Sequence, residues 1–310
     1  MRSHSGIEIR RCRPLLGTLV EIACQGSPHD IDCAFTAMEK VQRLMSFHDP
    51  TSDVARMNCH ASRRPVKVHP WTWRVLKSAQ EFSRKSDGVF DITMARQLVK
   101  WDYLPRPDTR LCSGGSWRDI VLDDEYNVRF RRRLIVDLGG IAKGFAVDRA
   151  VAALKNNSVT AGIVNAGGDL RTFGSASEVV YVRHPAEPTR IAGAVRLRER
   201  AMATSGVYFE RRKYRGKYVG PILDGHTGQS ACELISATVA AAECMIADAL
   251  TKLVFTLRGK AAGLLAQYRA DALLLERNGT PSWMFHSPCD TRDQTRFDRS
   301  TCIDIFSTPW

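Results

Sequence analysis

Two glycine pairs, each at the end of an apolar, β-branched run, constrain this chain more than any other feature. The run Leu134-Ile-Val-Asp137 leads to Gly139-Gly140, and the run Gly162-Ile-Val-Asn165 leads to Gly167-Gly168. Glycine at a strand end opens backbone conformations closed to other residues and lets a ligand approach the main chain. Beyond Gly140 the apolar residues take helical spacing over Ala142–Leu154. The pattern predicts a strand at Arg133–Leu138, a tight turn, and a helix beginning near Ile141. A helix that opens from glycines presents free N–H groups suited to a phosphate or a ligand carbonyl. Lys143 falls in its first turn and adds positive charge at the same place. The Walker spacing is missing. Taken alone, a strand–turn–helix joint capped by Asp137 explains the first pair as well, and a plain hairpin turn explains the second.

Further strands are expected at Gly17–Ala23, Asp119–Leu122, Gly162–Asn165, Val179–Arg183 and Ala192–Leu197, and helices at Ser27–Leu44, Trp73–Ser86 and Ala237–Leu257. Strand pairs with separate helices, rather than strict alternation, favour an α+β fold. The 310 residues suffice for one large domain or two lobes sharing a core. Residues 1–286 read as one domain. Residues 287–310, polar and without clear periodicity, read as a C-terminal appendage, with disorder as one option.

Composition narrows the function classes. No run approaches the roughly 20 apolar residues of a membrane span. Leu15–Ala23 is broken by Glu21 and reads as a strand, not a signal peptide, so the expected location is the cytoplasm. Nine cysteines, odd in number and without a C-x-x-C pair, argue against a disulfide framework or a zinc site, and most are expected to be buried. The net charge of +12 is spread along the chain without a nucleic-acid motif. It points to anionic ligands or acidic partner surfaces and away from nucleic acid.

Two more segments carry chemistry. In Ser86-Asp-Gly-Val-Phe-Asp-Ile-Thr93 a glycine stops a helix and leaves Phe90 and Asp91 in a loop, an aromatic and a carboxylate that suit a planar heterocycle. A helix C-cap with Phe90 in the core is the plainer account. In Ala237–Leu257, Asp248 sits within an apolar stripe. A buried carboxylate needs a cation, here a metal or Lys252 one turn on, and Thr251 is placed to offer a hydroxyl to the same metal. A surface Asp–Lys pair is the alternative.

These segments, with Pro14-Leu-Leu-Gly-Thr18, Ser52-Asp-Val-Ala-Arg-Met-Asn58, Asn165-Ala-Gly-Gly-Asp169, Ala203-Thr-Ser-Gly206, Leu223-Asp-Gly-His-Thr-Gly228 and Ala247-Asp-Ala-Leu250, resemble in order and spacing the ApbE-like flavin transferase family. The likeness runs from about Arg13 to Phe285. It implies a bilobal, T-fold-like α+β fold with FAD in a cleft, and Mg2+-dependent transfer of FMN from FAD to a Thr or Ser of a target protein, with release of AMP. It implies flavin contacts at Leu16, His48, Val89, Phe90, Asp91, Asp137, Lys143 and Ile222, and metal ligands at Gly140 and Asp248, with Thr251 as a substitute one residue short of the family's threonine. Two departures stand out. Pro221 occupies the place of the family's histidine base, leaving His226 as the candidate, and Lys252 occupies the place of the metal-binding threonine. An ammonium there repels Mg2+ or takes its place. Two alternatives stay open: an FAD-binding protein with impaired catalysis, serving as carrier or scaffold, and an FAD pyrophosphatase.

Overall fold

The computed structural model describes residues 8–107, 112, 114–175, 177–184, 191–206, 211–231, 234–276, 280–285 and 303–306. At its centre small and β-branched residues build an eight-stranded sheet, paired antiparallel throughout. In spatial order the strands are Ile9–Leu15, Thr18–Cys24, Gly162–Ala166, Asp169–Phe173, Ala201–Gly206, Leu234–Ala241, Asp271–Glu276 and Pro281–Met284. Side chains alternate between the faces, as the pleat requires. Ala201, Ala203, Val239 and Leu274 join the core on one face, whereas Met202, Ala240, Leu273 and Leu275 join a second core on the other.

The helices among the described residues are α1 (Pro28–Met45), α2 (Asp53–His60), α3 (Pro70–Lys85), α4 (Ala95–Lys100), α5 (Ala142–Asn156), α6 (Cys244–Leu257) and α7 (Ala262–Gln267). The start of α1 is fixed locally: Ser27 and Asp30 form a capping box, and Pro28 takes the first helical position. Helix α1 packs along α5 and α5 along α6, while α6 lies on the strands Ala201–Gly206 and Leu234–Ala241. These three helices cover the first face. A small sheet of Ile303–Phe306, Ile191–Leu197 and Glu178–Arg183 covers the second, where Val182, Val195 and Leu197 meet Leu170, Met202 and Leu273. Of the stretch expected as an appendage, Ile303–Phe306 is therefore a strand; the rest lies outside the described residues. Between α1 and α5, helices α2 to α4 and the short strands Val66–Lys67, Ile120–Leu122 and Asn127–Phe130 form a second lobe. Its Val54, Met57, Leu76, Phe82 and Val128 belong to the same core as α1 and α5.

Three expectations need correction. The segment Arg133–Leu138 enters no ladder. The Asn58 side chain stands in for a partner strand, its Nδ2 donating to Val136 O at 3.0 Å and its Oδ1 accepting from Val136 N at 2.8 Å. The helix expected at Ala237–Leu257 is a strand to Ala241 and α6 only from Cys244. Its first part is a run of small apolar residues that fits either period. Of the six described cysteines, Cys24 and Cys244 alone are buried. Among the described residues no helix is long and apolar enough to cross a membrane.

Candidate functional site

Several segments meet around a cleft of about 770 Å3, inside the roughly 300–1,000 Å3 span of small-molecule sites. The first wall follows α3. Ser86 turns the chain there, its Oγ donating to Phe82 O at 2.7 Å and accepting from Phe90 N at 3.1 Å. Phe90 packs on Phe82, ring centroids 5.8 Å apart, and still lines the cleft beside Val89 and Asp91. Asp91 is held from within: Oδ1 accepts from Thr93 N and Thr93 Oγ1, both at 2.8 Å, and Oδ2 accepts from Trp117 N at 3.2 Å. Burial raises its pKa, against the pull of those donors.

The glycine turn forms the floor. Gly139 and Gly140 lead into α5, with Lys143 in its first turn facing the cleft. Asp137, half-buried, lines the cleft beside the turn; burial raises its pKa, and the Gly139 amide and His48 oppose that rise. Beneath the floor lie two carboxylates. Asp169, just after Gly167-Gly168 (both at positive φ), is 1% exposed and has Lys143 Nζ 3.4 Å from Oδ2. That is an ion pair without hydrogen-bond geometry, and Oδ2 has no hydrogen-bond partner. Asp248, fully buried on α6, accepts from Gly144 N at 3.0 Å through Oδ2 and from the Lys252 ammonium through Oδ1. Lys252 Nζ also donates to Asp248 O at 3.0 Å, and Lys252 lines the cleft.

Two charge effects follow from this quartet. Burial, followed by the charge of Asp248, pushes the Asp169 carboxyl up to about 7, against Lys143 and Lys252. Burial works against the Lys143 ammonium, yet Asp169 and Asp248 outweigh it and hold its pKa above the ordinary lysine value.

The remaining walls come from Thr204–Gly206, from Tyr103 and Leu104, and from the loop Pro221–Leu223. Gly225 N donates to Val89 O at 3.0 Å and ties that loop to the first wall. Arg211 and Arg212 stand at the cleft, the Arg212 guanidinium 4.5 Å from the Tyr103 ring centroid.

Of the residues expected at the site, Val89, Phe90, Asp91, Asp137, Gly140, Lys143 and Ile222 line the cleft, and Asp248 lies directly under Lys252. Leu16 stands outside, in the hairpin turn at φ 57°, its N–H donating to Gln42 Oε1 at 2.6 Å. His48 stands outside as well, edge-on to Phe47 and acting on Asp137 through its charge alone. His226 is exposed behind Gly88, its backbone N–H donating to Asp224 Oδ1 at 2.8 Å. The Thr251 hydroxyl is engaged inside the core, with Ser205 Oγ and Asp248 O each at 2.7 Å. Sequence reasoning assigned no role to Asp169, Tyr103, Ser205 or Arg211. For Asp169 a signal existed, an acid directly after a glycine pair, but its burial beside Lys143 is a tertiary fact.

The donors present do not fit a Mg2+ ion. Both Asp248 oxygens and the Thr251 hydroxyl already have protein partners, and an ammonium occupies the cleft-facing side of Asp248. No group of three His, Cys, Asp or Glu residues able to hold a metal occurs among the described residues.

Fold and cleft first define a class: an α+β protein around an antiparallel sheet, with a ligand-sized cleft whose floor pairs ammonium groups with carboxylates. The chain belongs to the ApbE family, whose model matches residues 16–274. It is 26% identical over 278 residues to the FAD:protein FMN transferase of Klebsiella pneumoniae, covering 83% of this chain and 87% of that one. It is 26% identical over 308 residues to the FAD:protein FMN transferase of Treponema pallidum, covering 86% and 84%. Among solved structures it is similar to the ApbE protein of Thermotoga maritima, with a TM-score of 0.79 and 28% identity over 89% of this chain and 96% of that one. It shares its fold with the flavinyl transferase ApbE of Pseudomonas stutzeri, with a TM-score of 0.78, 20% identity, and 93% and 100% coverage.

Proposed function

We propose that this protein is an FAD:protein FMN transferase, which binds FAD in the cleft and esterifies FMN to a Thr or Ser of a target protein. The observation that carries the reading is the pairing of an aromatic-bearing wall, Val89-Phe90, with the cation-bearing floor, Lys143 and Lys252, in one cleft. FAD has both matching parts, a planar isoalloxazine and a diphosphate. The family membership and the names of the relatives support the same substrate.

In the reaction the acceptor hydroxyl oxygen bonds to the FMN phosphorus, the P–O bond to the AMP phosphate breaks, and AMP leaves with the bridging oxygen. Charge grows on the leaving phosphate, and fixed cations offset it without reorganising. Lys143 is held by Asp169 and Lys252 by Asp248, so both ammonium groups are positioned before substrate arrives. No histidine lines the cleft among the described residues, so the hydroxyl proton passes to a lining carboxylate, Asp91 or Asp137, or to solvent. The family's Mg2+ would supply further neutralisation, but the donors around Asp248 offer it no place as they stand.

The test is incubation with FAD and a candidate acceptor, followed by chromatography for AMP and mass spectrometry of the acceptor. AMP with a flavin-sized mass gain supports transfer. AMP without labelling turns the reading to a pyrophosphatase, and bound FAD without AMP turns it to a carrier.

A further inference from the structure

The charged floor has a polarity that the transfer chemistry alone does not require. Both ammonium groups face the cleft, with 30% and 22% of the Lys143 and Lys252 side chains exposed, and both carboxylates face inward at 1% and 0%. A ligand entering the cleft therefore meets cations first. An ammonium has three N–H donors. Lys252 uses two, on Asp248 Oδ1 and Asp248 O, which leaves one for the cleft. The other approaches to Asp248 are closed: α5 comes so near that a Cβ on Gly144 would lie 2.3 Å from Cys244 O and 2.8 Å from Asp248 Cβ. A divalent ion would first have to displace Lys252 from Asp248, and the displaced ammonium would remain in the same cleft and repel it.

We propose that this chain binds the diphosphate of FAD without a divalent metal, with Lys252 and Lys143 as its direct cationic contacts and the Lys252 ammonium standing on Asp248 where a metal would stand. The inference rests on the reading of the cleft as an FAD site. Two lysines neutralise the two diphosphate charges that a metal would otherwise meet. Arg211 and Arg212 at the cleft wall add to the attraction. Lys252 is pre-positioned by its own helix, so little side-chain entropy is lost when the ligand binds.

The experiment titrates FAD into the intact protein by flavin fluorescence and by calorimetry, once in EDTA and once in Mg2+. Affinities equal within about twofold are expected, since both cations belong to the chain. A Lys252→Met variant keeps the stem and removes the charge. In EDTA it should bind FAD roughly 10- to 100-fold more weakly, the usual worth of one charge-assisted contact. Mg2+ should restore part of that loss, because Asp248 is then open. Lys252→Arg should stay near wild type in EDTA. If losing its partner makes Asp248 unfold the single variant, Lys252→Met with Asp248→Asn removes the charges as a pair and should show the same weakening without recovery in Mg2+. Wild-type binding that needs Mg2+, or Met-variant binding equal to wild type in EDTA, overturns the inference and leaves the FAD reading intact. Failure to bind FAD in either buffer overturns both.

Discussion

The closest approach of two helices at the site makes Gly144→Ala a demanding test. In an ordinary helix interior this change stabilises by about 1 kcal/mol, because alanine loses less backbone entropy than glycine. Here the added Cβ would sit 2.3 Å from the Cys244 carbonyl oxygen, 2.6 Å from its carbon and 2.8 Å from Asp248 Cβ. Two of these are backbone atoms at the start of α6, so no side chain can swing aside. The helices must part by about 1 Å to reach ordinary contact. Overpacking of this kind costs about 1–3 kcal/mol or more. Parting also lengthens the 3.0 Å bond from Gly144 N to Asp248 Oδ2, and a hydrogen bond to a buried carboxylate is worth about 1.5–3 kcal/mol. Against the propensity gain, a net loss of at least about 2 kcal/mol is expected, which lowers Tm by about 3 °C or more for a chain of this size. Differential scanning calorimetry measures the first effect and FAD titration the second, since Asp248 carries Lys252. A Tm equal to or above wild type, with FAD affinity unchanged, would refute the claim that α5 and α6 touch backbone to backbone at this point.

Three further substitutions test the electrostatics and the missing base. A carboxyl whose folded pKa is near 7, against an ordinary 3.8, keeps a proton that the unfolded chain has lost, so wild-type stability falls as pH rises through that window. Asp169→Asn cannot titrate, and its Tm relative to wild type should climb from pH 5 to about pH 7 and level off above it in fluorimetric melts; parallel curves would contradict the burial-driven shift. Asp91, Asp137 and Asp148 are shifted the same way in both proteins and cancel in the difference. Pro221→His puts an imidazole on the cleft lining and should raise AMP release or acceptor labelling, by as much as the roughly 10²–10⁴-fold a positioned base contributes. His226→Ala should change either by less than about tenfold, and a larger loss would place the base on the exposed loop.

What the sequence made legible follows from how local the physics is. The turn at Gly139-Gly140, the helix after it and Lys143 at its start come from neighbours in the chain, and they form as their pattern predicts. The start of α1 at Ser27 is legible for the same reason, since the cap that fixes it is local. The segment Arg133–Leu138 misled because its Val136 backbone is held by the side chain of Asn58, 78 positions away, and not by a neighbouring strand. At Ala237–Ala241 small residues gave no period, and the helix–strand boundary escaped. The pairing of Asp248 with Lys252 was readable from their spacing on one helix. The role of Asp169 was not, since its ion pair joins a turn between two strands to a helix that precedes both. That Leu16, His48 and His226 lie off the cleft lining depends on loop paths that no residue pattern encodes.

The start of α6 has a consequence for how the molecule assembles. Its own flanking residue, Glu243, makes no side-chain cap. The first amides, Cys244 N and Met245 N, instead donate to the carboxylate of Asp148 on α5 at 3.0 and 2.9 Å. An isolated helix of this length is marginal in water, and without its cap it is weaker still. The polypeptide from 244 to 257 thus waits for a stretch made about a hundred positions earlier before its first turn is secured. During synthesis α5, with the Asp148 that Arg171 pairs in the folded protein, emerges first, so the template precedes what it organises. A circular permutant opened between the two helices, in which α6 emerges first, would reverse that order of arrival and leave the final geometry intact.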